Sequence, residues 1–142
     1  MAAKVRDIMT KNPQTISAED TLQAAARRMK ELDVGMLPVC EGGRVMGTLT
    51  DRDISVRGVA EGKDPKQARV RDAMSQGTVL FCGADEDVKV VAKRMRDNQV
   101  RRLPVLDGNE RLIGIVSLGD VALHADDRTA GNALEGVSQP HA

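Results

Sequence analysis

The stretch Gly47-Thr-Leu-Thr-Asp-Arg-Asp53 decides the fold, because the chain repeats its pattern 67 residues later as Gly114-Ile-Val-Ser-Leu-Gly-Asp120. Each copy has a glycine, a hydroxyl residue and, three residues after the hydroxyl, an aspartate. The apolar residues around the glycine predict a strand, and the hydroxyl with its following carboxylate is a helix-start signature. Both copies therefore predict a strand that runs directly into a helix.

This strand–helix junction has two possible roles. In the simpler one, the Thr50/Asp53 and Ser117/Asp120 pairs are capping boxes that only begin a helix. In the other, the open backbone N–H groups and the positive end of the helix dipole attract phosphate, while the aspartate, which phosphate repels, binds the hydroxyls of a ribose. Because the pattern occurs twice in the same context, duplication favours the binding role.

Composition limits the classes of protein. The 142 residues suffice for one domain or two small intertwined halves. Lys plus Arg and Asp plus Glu number 21 each, and Phe81 is the single aromatic residue, so we expect no nucleic-acid binding. There is no apolar run of about 18 residues and no signal-peptide stretch, so we expect no membrane span and a cytoplasmic location.

Metal binding and catalysis are not expected from the residue pattern. Cys40 and Cys82 form no CxxC motif, and His124 and His141 lie far from both in sequence. Free thiols are favoured over a disulfide in a cytoplasmic protein, although a Cys40–Cys82 disulfide remains the alternative. No Ser/His/Asp or Cys/His set recurs, and no second base accompanies the aspartates, which argues against an enzyme or an obligatory cofactor.

The chain contains two halves with the same order of elements. They begin at Val5-Arg-Asp-Ile-Met9 and Val70-Arg-Asp-Ala-Met74, and each continues through a short strand, an amphipathic helix, a two-stranded hairpin and a second helix. In the first half we expect a Ser17/Asp20 box to begin the amphipathic helix. The predicted strands span residues 15–16, 34–39, 45–49, 79–82, 100–106 and 111–116. The fold class is therefore α+β, with two βαββα repeats.

The repeat boundaries predict the domain organisation. Residues 1–67 form the first repeat with its lead-in and linker, residues 68–127 form the second repeat, and residues 128–142 form a partly disordered tail. A half of ~60 residues has a marginal core, so we expect the two halves to fold as one unit.

Three duplicated motifs together resemble the cystathionine-β-synthase (CBS) domain family. They are the Val-Arg-Asp-x-Met starts, the Leu-Pro-Val strands at 37–39 and 103–105, and the Gly-x-x-(Thr/Ser)-x-x-Asp turns. The resemblance covers about Val5 to Val121. It implies a pseudo-two-fold pair of repeats, a Bateman module, whose sheets pack together with two clefts between them. It also implies a regulatory homodimer that binds AMP, ADP, ATP, NAD or S-adenosylmethionine in those clefts.

The resemblance also implies roles for individual residues. Asp53 and Asp120 would bind ribose hydroxyls, while Thr50 and Ser117 would lie near the phosphate. The remaining cleft residues are Thr15, Ile16, Met36, Leu37, Pro38, Val100, Arg101, Arg102, Leu103 and Pro104. Phe81 replaces Thr15 in the second repeat, so this contact does not carry over.

The two clefts are expected to be unequal. Arg102 precedes Leu103-Pro104, whereas Met36 stands at the matched place, and a guanidinium can bind phosphate through two hydrogen bonds. The second cleft is then the better phosphate site, unless Arg102 is only a surface arginine. Arg52, where the second repeat has Gly119, either offsets this difference or points to solvent.

A rival interpretation is a CBS dimer with vestigial clefts that binds an unidentified protein target. A nucleotide sensor gains thermal stability with its ligand, and a scaffold does not. For the dimer interface we expect apolar residues of the two helices that follow the junctions. These residues are Ile54, Val56, Val121 and Leu123.

Overall fold

The computed structural model describes residues 3–75 and 80–124 of the chain, so the predicted tail at 128–142 lies outside the described residues. The α+β class is confirmed. The helices are α1 (Val5–Ile8), α2 (Leu22–Leu32), α3 (Asp51–Asp53), α4 (Val88–Asn98) and α5 (Leu118–His124). The strands are β1 (Thr10–Lys11), β2 (Met36–Glu41), β3 (Arg44–Thr50), β4 (Cys82–Gly83), β5 (Arg102–Leu106) and β6 (Leu112–Ser117). A π-helix (Ile54–Val59) continues α3, and a 3₁₀ turn spans Val70–Asp72.

The chain forms two compact units that do not follow the predicted boundary at residue 67. The first-repeat unit is Gln14–Val79, and the second-repeat unit joins Met1–Pro13 to Leu80–Ala142. Apolar packing explains the difference. The segment that begins each sequence repeat, here called its lead-in (residues 3–11 and 69–75), packs into the core of the other repeat. Val5 and Ile8 lie in the core of the second-repeat unit, and Val70 lies in the core of the first-repeat unit. A repeated motif shows that a lead-in exists but not which core it fills.

The two units share one sheet topology. In the second-repeat unit the strand order is β1-β6-β5-β4, antiparallel except for the parallel β4–β5 pair. In the first-repeat unit β2 and β3 form an antiparallel hairpin, and single bridges stand where β4 and β1 have their counterparts. These bridges are Ile16↔Val39 and Thr48↔Ser75. The strand predicted at 15–16 is therefore only one bridge long, and the predicted packing of sheet on sheet stays a prediction.

The helix ends explain why β2 and β5 begin later than predicted. Asp33 and Gln99 take left-handed conformations, with φ of 55° and 53°, and close α2 and α4. The next residue then donates its N–H back to the helix, Val34 to Met29 O at 3.0 Å and Val100 to Met95 O at 3.1 Å. These two valines thus belong to helix-to-strand turns.

The predicted Ser17/Asp20 box does not cap α2. Ser17 N–H does donate to Asp20 Oδ2 at 3.0 Å, but this bond closes a turn before the helix. The cap is Thr21, whose Oγ1 accepts from Ala24 N–H at 3.1 Å. A hydroxyl residue one turn later in the sequence competes for the same role, and the spacing rule alone does not separate the two.

The repeated glycines are required by the lead-ins. A Cβ at Gly47 would collide with the Ser75 carbonyl oxygen, and one at Gly114 would lie 2.6 Å from Met9 Sδ and 3.0 Å from Thr10 O. Each glycine lets a lead-in approach closely where it pairs with the strand that feeds the helix. The organising motif therefore specifies packing as well as a helix start.

Candidate functional site

Each repeat brings its conspicuous residues together at one strand–helix junction. The first junction comprises Gly35, Met36, Thr50, Asp51, Arg52 and Asp53, and the second comprises Arg101, Arg102, Ser117, Leu118, Gly119 and Asp120. Strand register sets the geometry, because Met36 lies opposite Thr50 and Arg102 lies opposite Ser117. The residue before each Leu-Pro pair is thus a cross-strand neighbour of the hydroxyl that begins the helix.

Both hydroxyl–aspartate pairs form capping boxes, as predicted. Thr50 N–H donates to Asp53 Oδ2 at 2.9 Å, and Asp53 N–H donates to Thr50 Oγ1 at 3.0 Å. The matched distances are 2.8 Å for Ser117 N–H to Asp120 Oδ2 and 3.1 Å for Asp120 N–H to Ser117 Oγ. An ionised carboxylate has about four acceptor positions, and both aspartates are half-buried. Capping therefore leaves each aspartate able to accept from a ribose.

A second bond ties the start of each helix to the residue before β2 or β5. Asp51 N–H donates to Gly35 O at 3.0 Å, and Leu118 N–H donates to Arg101 O at 2.8 Å. The first N–H of each helix is thereby used. These bonds hold residues 35 and 101 against the helix start, so the side chains at these places help to set the charge of the junction.

The two junctions carry opposite charge. Asp51, Arg52 and Asp53 give the first junction one net negative charge, whereas Arg101, Arg102 and Asp120 give the second one net positive charge. Asp51 and all three arginines are exposed. Sequence reasoning identified the arginines but missed Asp51, although its place directly after the cap residue was a usable signal.

Several predicted cleft residues are core residues of their own unit. Leu37 and Leu103 are 2% and 1% exposed, and Ile16 is 6% exposed. Pro38 and Pro104 are buried as well. With so little side-chain surface, these residues could meet a ligand mainly through backbone atoms. Thr15, Met36 and Val100 are half-buried and keep accessible side-chain surface.

Both cysteines are free. Burial and, to a smaller extent, the nearby Glu86 charge raise the pKa of the Cys82 thiol to about 12, with the Arg94 charge opposing them. Burial likewise raises the pKa of Cys40. Within residues 3–75 and 80–124, no group of three or more His, Cys, Asp or Glu side chains could hold a metal ion, and no helix is long and apolar enough to cross a membrane.

The fold and its duplicated junctions define a pair of CBS domains. The CBS domain model matches residues 5–57 and 70–126. The chain therefore belongs to the CBS domain family, and the pair is a regulatory module of that family.

Similar proteins extend over nearly the whole chain. The CBS domain-containing protein YhcV of Bacillus subtilis is 41% identical over 138 residues, which cover 96% of each chain. Hypoxic response protein 1 of Mycobacterium tuberculosis is 35% identical over 138 residues, covering 96% of this chain and 95% of its own. A crystal structure of hypoxic response protein I with two coordinated zinc ions matches with a TM-score of 0.78 at 37% identity, covering 86% and 98%.

A third similar protein was solved with ligands. The CBS domain pair of protein MJ0100, in complex with 5′-methylthioadenosine and S-adenosyl-L-methionine, matches with a TM-score of 0.76. It is 27% identical, and the match covers 85% of this chain and 98% of that one.

Proposed function

We propose that this chain is a non-catalytic sensor that binds an adenosine-containing nucleotide at its strand–helix junctions. The carrying observation is the duplicated capping box, in which a half-buried aspartate begins a helix and retains acceptor capacity. A ribose diol needs such an acceptor, and the adjacent helix start suits a phosphate. The adenosine-containing ligands of the similar MJ0100 domain pair support the same ligand class.

Arg102 supports phosphate binding at the second junction. It lies opposite Ser117 in the strand pair, so its exposed side chain starts beside the hydroxyl that begins α5. A charge-assisted hydrogen bond from arginine to phosphate contributes roughly 1.5–3 kcal/mol when it is partly desolvated, or about 10- to 150-fold in affinity. Because Arg102 is exposed, the lower end of this range is the expected value.

Calorimetric titration of AMP and of adenosine tests the proposal on wild type and Arg102→Met, which installs the residue of the first junction. AMP affinity should fall about tenfold in Arg102→Met, while adenosine affinity should change less than twofold. Arg52→Gly, which installs the residue of the second junction, is the matched control. Equal weakening of AMP and adenosine would assign Arg102 to the fold or to the base. Unchanged AMP affinity at every site would remove Arg102 from the phosphate site.

The rival function is a protein-interaction scaffold with vestigial junctions. A thermal-shift panel of AMP, ADP, ATP, NAD and S-adenosylmethionine separates the two, because a ligand at 100 times its Kd stabilises the folded state by about 2.7 kcal/mol. A flat response to all five would favour the scaffold.

We also propose a homodimer, but with a different interface from the one expected from sequence. Val121 is fully buried and therefore unavailable to a partner, and Ile54 is partly buried against the core of its own unit. Val56, Val59 and Leu123 remain exposed on the helices that follow the junctions. Light scattering should give about twice the 15.3 kDa chain mass. A cytoplasmic location is proposed on the basis of the two free thiols.

A further inference from the structure

Asp51 holds a carboxylate at the place where the first junction would receive an anion. Its N–H donates to Gly35 O at 3.0 Å, which fixes the residue at the first position of the helix. Its Oδ1 accepts from Arg52 N–H at 2.8 Å. Its Oδ2 lies 3.2 Å from the position that a Cβ on Gly35 would take. The carboxylate therefore accepts the Arg52 N–H in the first turn of the helix, and it lies beside Gly35, directly before β2.

The second junction lacks this arrangement. Leu118 stands in place of Asp51 and is 5% exposed, so its side chain packs into the core. Arg101 stands in place of Gly35. Within the described residues no side chain accepts from Gly119 N–H, the counterpart of the N–H that Asp51 occupies. At the second junction this donor, together with the arginines, remains available to an external anion.

We propose that Asp51 is a specificity-determining residue that makes the first junction selective for an adenosine-type nucleoside without a 5′ phosphate. This inference rests on the proposed function, since it assigns a ligand class to one of the two proposed sites. A phosphate beside Thr50 would meet a negative charge and lose one backbone donor, whereas a neutral or positively charged 5′ group would not. The two junctions thus bind two different adenosine compounds, the first one without a 5′ phosphate and the second one with it.

Electrostatics sets the size of the effect. Asp51 and Arg52 are both exposed, so solvent and salt screen their charges. Arg52 therefore reduces the repulsion without cancelling the local carboxylate, which accepts from the Arg52 backbone and not from its guanidinium. For charges several ångströms apart in a high effective dielectric, discrimination of about 3- to 10-fold is expected.

The experiment measures each junction separately in the full chain. Asp120→Asn removes the ribose acceptor charge of the second junction, and Asp53→Asn does so for the first. Calorimetry then compares adenosine, AMP and 5′-amino-5′-deoxyadenosine, which are neutral, negative and positive at the 5′ position. With Asp120→Asn the expected order of affinity is amino compound, adenosine, AMP, and with Asp53→Asn the expected order begins with AMP.

Asp51→Asn in the Asp120→Asn background is the decisive variant. AMP affinity should rise about 3- to 10-fold, adenosine affinity should stay within about twofold, and the gain should shrink as salt is added. Asp33→Asn is the matched control, because it removes the same charge at the exposed C-cap of α2, where Asn also tolerates the left-handed conformation. Melting without ligand verifies that each variant folds.

Two negative results have different meanings. If adenosine binds but Asp51→Asn leaves the AMP-to-adenosine ratio unchanged, the role of Asp51 is overturned while the proposed function stands. If none of the three compounds binds wild type, the assignment of Asp51 fails. The proposed function fails as well only when the thermal-shift panel of AMP, ADP, ATP, NAD and S-adenosylmethionine is also flat.

Discussion

The two lead-ins make matching bonds but reach their units by different routes. Val5 N–H donates to Glu86 O at 3.0 Å, and its counterpart Val70 N–H donates to Asp20 O at 2.8 Å. Residues 69–75 follow the first repeat directly, whereas residues 3–11 are separated from the rest of their unit by the whole first repeat. One unit is therefore continuous in sequence and the other is not, although their local structure is alike.

The largest expected effect comes from cutting the chain by sequence repeat instead of by compact unit. The small size of each repeat predicted that the halves fold only together, but residues 14–79 form a compact unit with its own lead-in. We therefore expect fragment 14–79 to melt cooperatively and fragment 1–67 not to fold. The shorter cut removes Val70 and Met74, whose burial contributes about 4 kcal/mol together, and this is comparable with the whole stability of a small domain. Thermal melts followed by circular dichroism measure both fragments.

Fragment 1–67 also carries the other lead-in, residues 3–11, which has no partner there. A cooperative melt of 1–67 would show that the first-repeat core does not need the lead-in at residues 69–75. Failure of 14–79 to melt cooperatively would instead show that a core of this size does not fold without the second-repeat unit.

The sequence predicted the fold class and the order of the elements because both depend on local patterns. Alternation and helical periodicity predicted the hairpins and the buried stripe of α4, and the capping boxes at Thr50 and Ser117 were predicted to the residue. The assignment of lead-ins to units was beyond these patterns, since Val5 and Val70 have equivalent surroundings in the sequence. Only tertiary packing decides which core each valine fills.

The candidate site was predicted in part for the same reason. The aspartates and hydroxyls carry a recognisable spacing, and strand register places Arg102 opposite Ser117. The charge of the first junction was missed because Asp51 lies next to a stronger signal, the Thr50 cap. Its contact with Gly35 joins the start of α3 to the residue before β2, which is distant in sequence. Such a contact has no signature in local spacing.

Alanine substitutions at Gly47 and Gly114 should cost unequal amounts of stability, because the two lead-ins approach these glycines with different atoms. Gly47→Ala places a Cβ against the backbone carbonyl of Ser75, which cannot move without breaking the Ser75 N–H to Thr48 O bond at 3.0 Å. Gly114→Ala meets the flexible end of Met9 first, although Thr10 O lies 3.0 Å away. We expect losses of about 3 kcal/mol for Gly47→Ala and about 1 kcal/mol for Gly114→Ala.

Chemical denaturation of both variants measures these losses. An alanine also restricts the unfolded chain, which stabilises each variant by about 0.5–1 kcal/mol and affects both equally. The comparison therefore depends on the difference between the two variants. Equal losses, or a larger loss for Gly114→Ala, would contradict the argument that a rigid backbone neighbour costs more than a flexible side chain.

The smallest effect concerns an ion pair found in one unit only. Glu86 accepts from Arg94 Nη1 and Nη2 at 2.9 and 2.6 Å and from Gly83 N–H at 2.7 Å. In the other unit the matched Arg28 donates to Gln14 Oε1 at 2.7 Å instead. With side chains 27% and 32% exposed, the Arg94–Glu86 pair is worth about 1 kcal/mol at neutral pH. Glu86→Gln should cost that amount, and Asp20→Asn, the matched control, less than about 0.5 kcal/mol.

The pH dependence identifies the ion pair as the cause of this loss. The hydrogen bond from Arg94 lowers the pKa of Glu86 below its ordinary value of about 4.5, with partial burial opposing it and the Gly83 bond assisting. A lowered folded-state pKa means that the unfolded chain takes up the proton first, so the stabilisation is complete above the ordinary value and is lost as the pH falls through the folded one. The stability difference between wild type and Glu86→Gln, measured by denaturation from pH 7 to pH 3, should therefore stay constant down to about pH 5 and then shrink. A difference that persists unchanged to pH 3 would assign the loss to packing around the Glu86 side chain and not to its charge.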